Sequence, residues 1–104
     1  MAEQEHAEHE HEHDADAISF AAFVLSLAHT AAVHFGDIPD PVSGEKSEVN
    51  LPAAQQMIDI LALLETKTRG NLTAEERQLL DQILYELRLR FIEASKPQSR
   101  IITP

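Results

Sequence analysis

The chain of 104 residues has no cysteine and no tryptophan, and only 8 lysines and arginines against 18 acids. Without cysteine there is no disulfide framework, no thiolate metal site and no cysteine nucleophile, which fits a reducing, cytoplasmic setting. A deficit of basic residues excludes the positive stripe that nucleic acid or an anionic membrane surface would require. The start of the chain has no basic segment leading into an apolar run, so no signal peptide is expected. No phosphate loop, dinucleotide fingerprint, nucleophile elbow, HExxH or paired-cysteine motif occurs, so neither enzymatic activity nor a cofactor is expected.

The charge that is present is unevenly spread. Residues 1–16, MAEQEHAEHEHEHDAD, hold seven of the acids and none of the basic residues, so the other 88 residues carry only −3 of the net −10. With almost no bulky apolar side chain, this segment cannot offset the entropy of ordering and is expected to be a disordered acidic tail. It places His6, His9, His11 and His13 among carboxylates. Imidazole and carboxylate are ligands for zinc, nickel or copper. Two readings of the tail therefore stand side by side: a solubilising polyampholyte, and a weak metal-binding segment of a metal-handling protein.

Beyond the tail the periodicity predicts an all-α domain over residues 17–94: three helices, the second and third forming an antiparallel hairpin, followed by a flexible tail at 95–104. The first helix is expected over residues 17–35, with Asp16 as N-cap and Gly36 as the αL stop. The loop 37–50, broken by Pro39, Pro41 and Gly44, is long for a helix connection and is expected to cross the body. Asn50 and Pro52 open the second helix, whose stripe is Leu51, Ala54, Ile58, Leu61 and Leu64. The third, over residues 74–93, turns Leu80, Ile83, Leu84, Leu87 and Phe91 to the core. Glu65 with Arg69 and Glu86 with Arg90 are spaced for i,i+4 pairing. Arg88 or Arg90 is expected to pair with Asp59 or Asp81 across the hairpin, and Tyr85 to be an interface residue with its hydroxyl in water.

The corner between these helices, KTRGNLTAEERQLL (Lys67 to Leu80), admits two readings. Gly70 suits a helix end, and Thr73 with Glu76 three residues on reads as a capping box, so every residue has a place in a tight hairpin. Lys67 and Arg69 beside a helix start also describe an anion site, although Glu75 and Glu76 already supply negative charge there.

Taken together, FAAFVLSLAHTAAVHFG (Phe20 to Gly36), NLPAA (Asn50 to Ala54) and IDILALLETKTRGNLTAEERQLLDQILYELRLRF (Ile58 to Phe91) resemble the bacterial domain of unknown function 1844. The likeness runs over residues 18–93, with KTRGNLT as its signature. It implies a small bacterial helical protein, implies no activity, and carries over no catalytic residue. The His-rich tail lies outside the resemblance.

The first helix carries no charged side chain, so no solvated face is visible and both of its sides need cover. A membrane span would be short and would hold His29 and His34, with Asp16 and Asp37 at its ends, which makes membrane contact the weaker alternative. As the central helix of a monomer it could not be enclosed by two neighbours. Packing against copies of itself answers the difficulty, since Ala21, Ala22, Ser26, Ala28, Ala31 and Ala32 allow close approach. Phe20, Phe23, Val24, Leu27 and Ala31 are the expected interface of a homo-oligomer. The functional expectation is a non-enzymatic interaction or structural module, with an unidentified protein partner as a further occupant of that surface.

Overall fold

The computed structural model describes residues 18–96; the His-rich tail, with His6, His9, His11 and His13, and the end of the chain lie outside the described residues. Within them the chain forms three helices and no strand: α1 (Phe20–His34), α2 (Leu51–Lys67) and α3 (Ala74–Ser95).

Each helix start is set by a short polar side chain. Ser19, not Asp16, caps α1: its extended backbone lets its hydroxyl accept from the Ala22 amide at 3.0 Å, so the helix begins at Phe20. The Asn50 side chain accepts from the Ala53 amide at 3.1 Å and Pro52 occupies the first turn of α2, where a missing amide costs nothing. At α3 the capping box is complete. Thr73 Oγ1 accepts from the Glu76 amide at 3.0 Å and the Glu76 carboxylate accepts from the Thr73 amide at 2.9 Å. Such a cap stabilises the helix by about 1 kcal/mol. The helix runs to Ser95, two residues past the expected end, and Lys96 before Pro97 is extended.

At the other end of α1 the chain reverses through Gly36 at φ 79°. The Gly36 amide donates to Val33 O and the Asp37 amide to Ala32 O, both at 2.9 Å, which together form a Schellman motif. The following loop does not cross the body. Asp40 Oδ1 accepts from the Val42 amide at 2.7 Å, the Gly44 amide donates to Asp40 O at 2.7 Å, and the Asn50 amide returns to His34 O at 2.8 Å. The loop is thus a closed excursion whose two ends meet. It leaves α2 starting beside the end of α1, so the two helices run in opposite directions.

The core is drawn from all three helices and the end of α1. Val24, Ala31 and Phe35 meet Ala54, Met57, Ile58 and Leu61 of α2 and Leu80, Ile83 and Leu84 of α3. Each large side chain enclosed here contributes about 1.5–3 kcal/mol. Phe35 also meets Phe91 edge to face, with ring centroids 6.5 Å apart at 71°. Above it, Arg90 lies 5.3 Å from the Phe35 centroid and makes a bidentate bond to Asp37, at 2.8 Å from Nε and 2.7 Å from Nη2. This corrects the expected partners: Arg90 pairs with the loop after α1, not with Asp59, Asp81 or Glu86. Asp59 instead accepts from Gln55 Nε2 and Glu86 from Gln82 Nε2, each a neighbour one helical turn away. The guanidinium beside Asp37 holds its carboxyl below the usual carboxylate range, against a smaller opposing effect of burial.

Candidate interaction surface

The five residues expected at an oligomer interface divide in the folded chain. Val24 and Ala31 are wholly enclosed by the chain's own helices and offer nothing to a second chain. Phe20 and Leu27 are half-buried against the same core, while Phe23 faces outward, 45% exposed. The physical reason is the packing of α2 and α3, which cover one side of α1 and leave the other bare.

That bare side is continuous from Ala22 to Thr30; Val33, further along the same arc, is buried. Phe23 and Leu25 flank buried Val24, each about 100° around the helix, which leaves an outward arc of about 160°. Ala22, Ser26, His29 and Thr30 fill the arc, and all are exposed. Its two hydroxyls are turned back onto the helix: Ser26 Oγ donates to Phe23 O at 2.7 Å and Thr30 Oγ1 to Ser26 O at 3.1 Å. With those hydrogens spent inside the helix, the arc presents methyl, methylene and ring surface, interrupted by one imidazole.

A second exposed surface lies on the hairpin. Three clefts of about 450, 370 and 400 Å³ adjoin one another, because Glu65 and Asp81 line the first two and Arg88 and Ile92 line the last two. No α1 residue lines any of them, so they form one groove on the side of the hairpin away from α1. Their linings also fix the helix order. Glu65, near the end of α2, stands with Asp81, whereas Gln55 and Asp59, near its start, stand with Arg88 and Ile92. The two helices therefore run antiparallel. Tyr85, Leu89 and Ile92 are 63%, 45% and 57% exposed along this groove. Their spacing of four and three residues is a helical stripe of its own, separate from the core stripe of Leu80, Ile83, Leu84 and Leu87. Tyr85 was expected at an interface with its hydroxyl in water and is exposed here; Leu89 and Ile92 were not singled out, though that spacing places them beside it.

The corner sits at the end of this groove. Arg69 and Arg77 line it together with Glu65 and Asp81, while Lys67 is exposed and stands outside the lining. Part of the helix start is already engaged, while the side chains of Lys67, Arg69 and Arg77 make no hydrogen bond to the described residues. Thr73 and Glu76 satisfy each other's amides, and Thr68 Oγ1 donates to Leu64 O at 2.7 Å. The corner is a built turn in which basic and acidic side chains face the same cleft.

No helix among the described residues is long and apolar enough to cross a membrane, which removes the spanning reading of α1. Among the described residues, no three His, Asp or Glu side chains gather as metal ligands would. His29 is exposed and His34 half-buried, five positions apart on α1.

Fold and surface together define a small three-helix domain, an antiparallel hairpin of α2 and α3 packed against the apolar helix α1, with exposed apolar surface on two sides. Residues 17–93 match the domain of unknown function DUF1844, well over half of the chain, and the protein belongs to that family. Neither the curated proteins nor the solved structures contain a match to it.

Proposed function

We propose that this protein is a non-enzymatic interaction module of the cytoplasm that self-associates through the outward arc of α1. The observation that supports this reading is a helix with no charged residue whose outward side exposes Phe23 and Leu25 and keeps its hydroxyls bonded to its own backbone. Water gains no polar partner there except His29, and a second copy of the same face would cover the rings while small Ala22 and Ser26 admit close approach. An enzyme would need polar groups held in a pocket, and among the described residues no polar or charged side chain is buried.

The test is the solution mass of the full chain, by light scattering after size exclusion over a range of concentrations. A mass above one chain is expected. Phe23→Glu should weaken the association by about 2 kcal/mol or more, as for a truncated interface anchor, while the helical circular dichroism stays unchanged. A chain that is monomeric at every concentration, or a Phe23→Glu variant with unchanged mass, overturns the reading.

A further inference from the structure

The groove on the hairpin raises a separate question, because α1 takes no part in it. Its apolar stripe of Tyr85, Leu89 and Ile92 shares its face with charges of opposite sign on the same helix, Asp81 before it and Arg88 within it, and with Glu65 of α2 beside Asp81. The ion pair among the described residues is Arg90 with Asp37, so Asp81 and Arg88 have no salt-bridge partner among the described residues. Seven residues, about 10 Å along the axis, separate them. Their midpoint falls between Leu84 and Tyr85.

A helix face with an acid on one side of its midpoint and a base equally far on the other is complementary to itself in one orientation. If two such helices pack antiparallel about a two-fold axis through that midpoint, each acid meets the other copy's base. Parallel packing would instead stack acid on acid and base on base. We propose that this face is a second interface between copies of the chain. It is two-fold and antiparallel, with Asp81 against the partner's Arg88, Arg88 against the partner's Asp81, and Tyr85 beside the axis. The charge order selects a second copy as the occupant and sets its direction. The apolar stripe supplies surface to be removed from water.

Because the outward arc of α1 and this groove lie on opposite sides of the domain, the two interfaces are compatible. Two independent two-fold faces build a tetramer of dihedral symmetry when their axes meet at right angles. This reading does not depend on the α1 interface, and one set of variants separates them.

The experiment measures the solution mass of the full chain, of Arg88→Asp, of the charge swap Asp81→Arg with Arg88→Asp, and of Phe23→Glu. Arg88→Asp places an acid against the partner's Asp81 twice per interface, and should raise the dissociation constant at this face about tenfold or more. The swap restores the opposite-charge pairs and should recover the wild-type mass, which a misfolded variant would not do. Should Arg88→Asp leave the mass unchanged, or the swap fail to recover it, the groove interface is overturned. If Phe23→Glu alone leaves the mass unchanged while Arg88→Asp lowers it, the α1 reading fails and the groove reading stands. The chain has no cysteine, so a single Tyr85→Cys gives a direct check. A short bismaleimide should link two chains through position 85 and not through a Ser47→Cys control on the loop; equal linking at both positions also overturns the proposal.

Discussion

Residues 36–50 and residues 68–73 perform the same task, returning the chain from one helix to the next, by different physics. Both contain a glycine at positive φ, Gly36 at 79° and Gly70 at 88°. The short corner is then held almost wholly by local bonds: a capping box within four residues, and a threonine hydroxyl bonded one turn back. The long connection is held by the rest of the protein. Phe35 is sunk in the core at its start, Asp37 is clamped by Arg90 from 53 positions away, and Asn50 closes it against His34. A short turn thus depends on which residues are adjacent in sequence, and a long one on which residues the fold brings near.

The largest expected effect tests this dependence at Phe35. Phe35→Ala empties a site that is 1% exposed and removes the ring that both Phe91 and Arg90 contact. A loss of about 3–5 kcal/mol is expected, much of the stability of a domain this size. Leu72, the apolar residue of the short corner, is only half-buried, and Leu72→Ala should cost about 1–2 kcal/mol. Urea unfolding of the two variants measures both. Equal losses would mean that the long connection is not anchored through Phe35.

A sharper contrast comes from the two glycines, since alanine at either must adopt the left-handed region at about 1–2 kcal/mol. At Gly70 that is the whole cost, because a Cβ there would meet nothing within 4 Å. At Gly36 the Cβ would also stand 3.1 Å from Ser47 O, a backbone atom of the returning strand of the loop. Gly36→Ala should therefore be the more destabilising, by about 1 kcal/mol or more beyond Gly70→Ala. Thermal unfolding of the pair reads the difference. Identical midpoints would show that the loop yields to the added methyl.

The same contrast explains what could be read from the sequence. Gly70, Thr73 and Glu76 announced the corner because a cap needs only residues three apart. The Asp37–Arg90 pair was hidden because nothing near either residue names the other; Asp59 and Asp81 were equally good candidates until the loop was seen to close on itself. Val24 and Ala31 were expected at an interface for a related reason. A helix without a polar face gives no sign of which side its neighbours will take, so inward and outward residues look alike. On α3 the converse held. The core stripe was clear, and the second stripe of Tyr85, Leu89 and Ile92 was masked by the arginines and acids between its members.

The smallest expected effect is also the most specific, and it lies at the Asp37–Arg90 clamp. The pair is bidentate but partly in solvent, with side chains 40% and 34% exposed, so it contributes less than about 1 kcal/mol. Its signature is the dependence on pH. The guanidinium lowers the Asp37 carboxyl from its ordinary value of 3.8, so the folded chain holds that proton less tightly than the unfolded chain does. The stabilisation is then fully present above the unfolded value, and fades as the pH falls through the lower folded one. Asp37→Asn removes the charge at every pH. The variant should be slightly less stable than the wild type at pH 7, and the gap should narrow as the pH falls below about 4 and the wild-type carboxyl becomes neutral. Thermal midpoints of the two chains between pH 7 and pH 2.5 give the comparison directly. A gap that stays constant over that range would mean that Asp37 acts through its shape in the loop and not through its charge. The long connection would then rest on Phe35, Gly36 and the Asn50–His34 bond, with no contribution from the charge of Asp37.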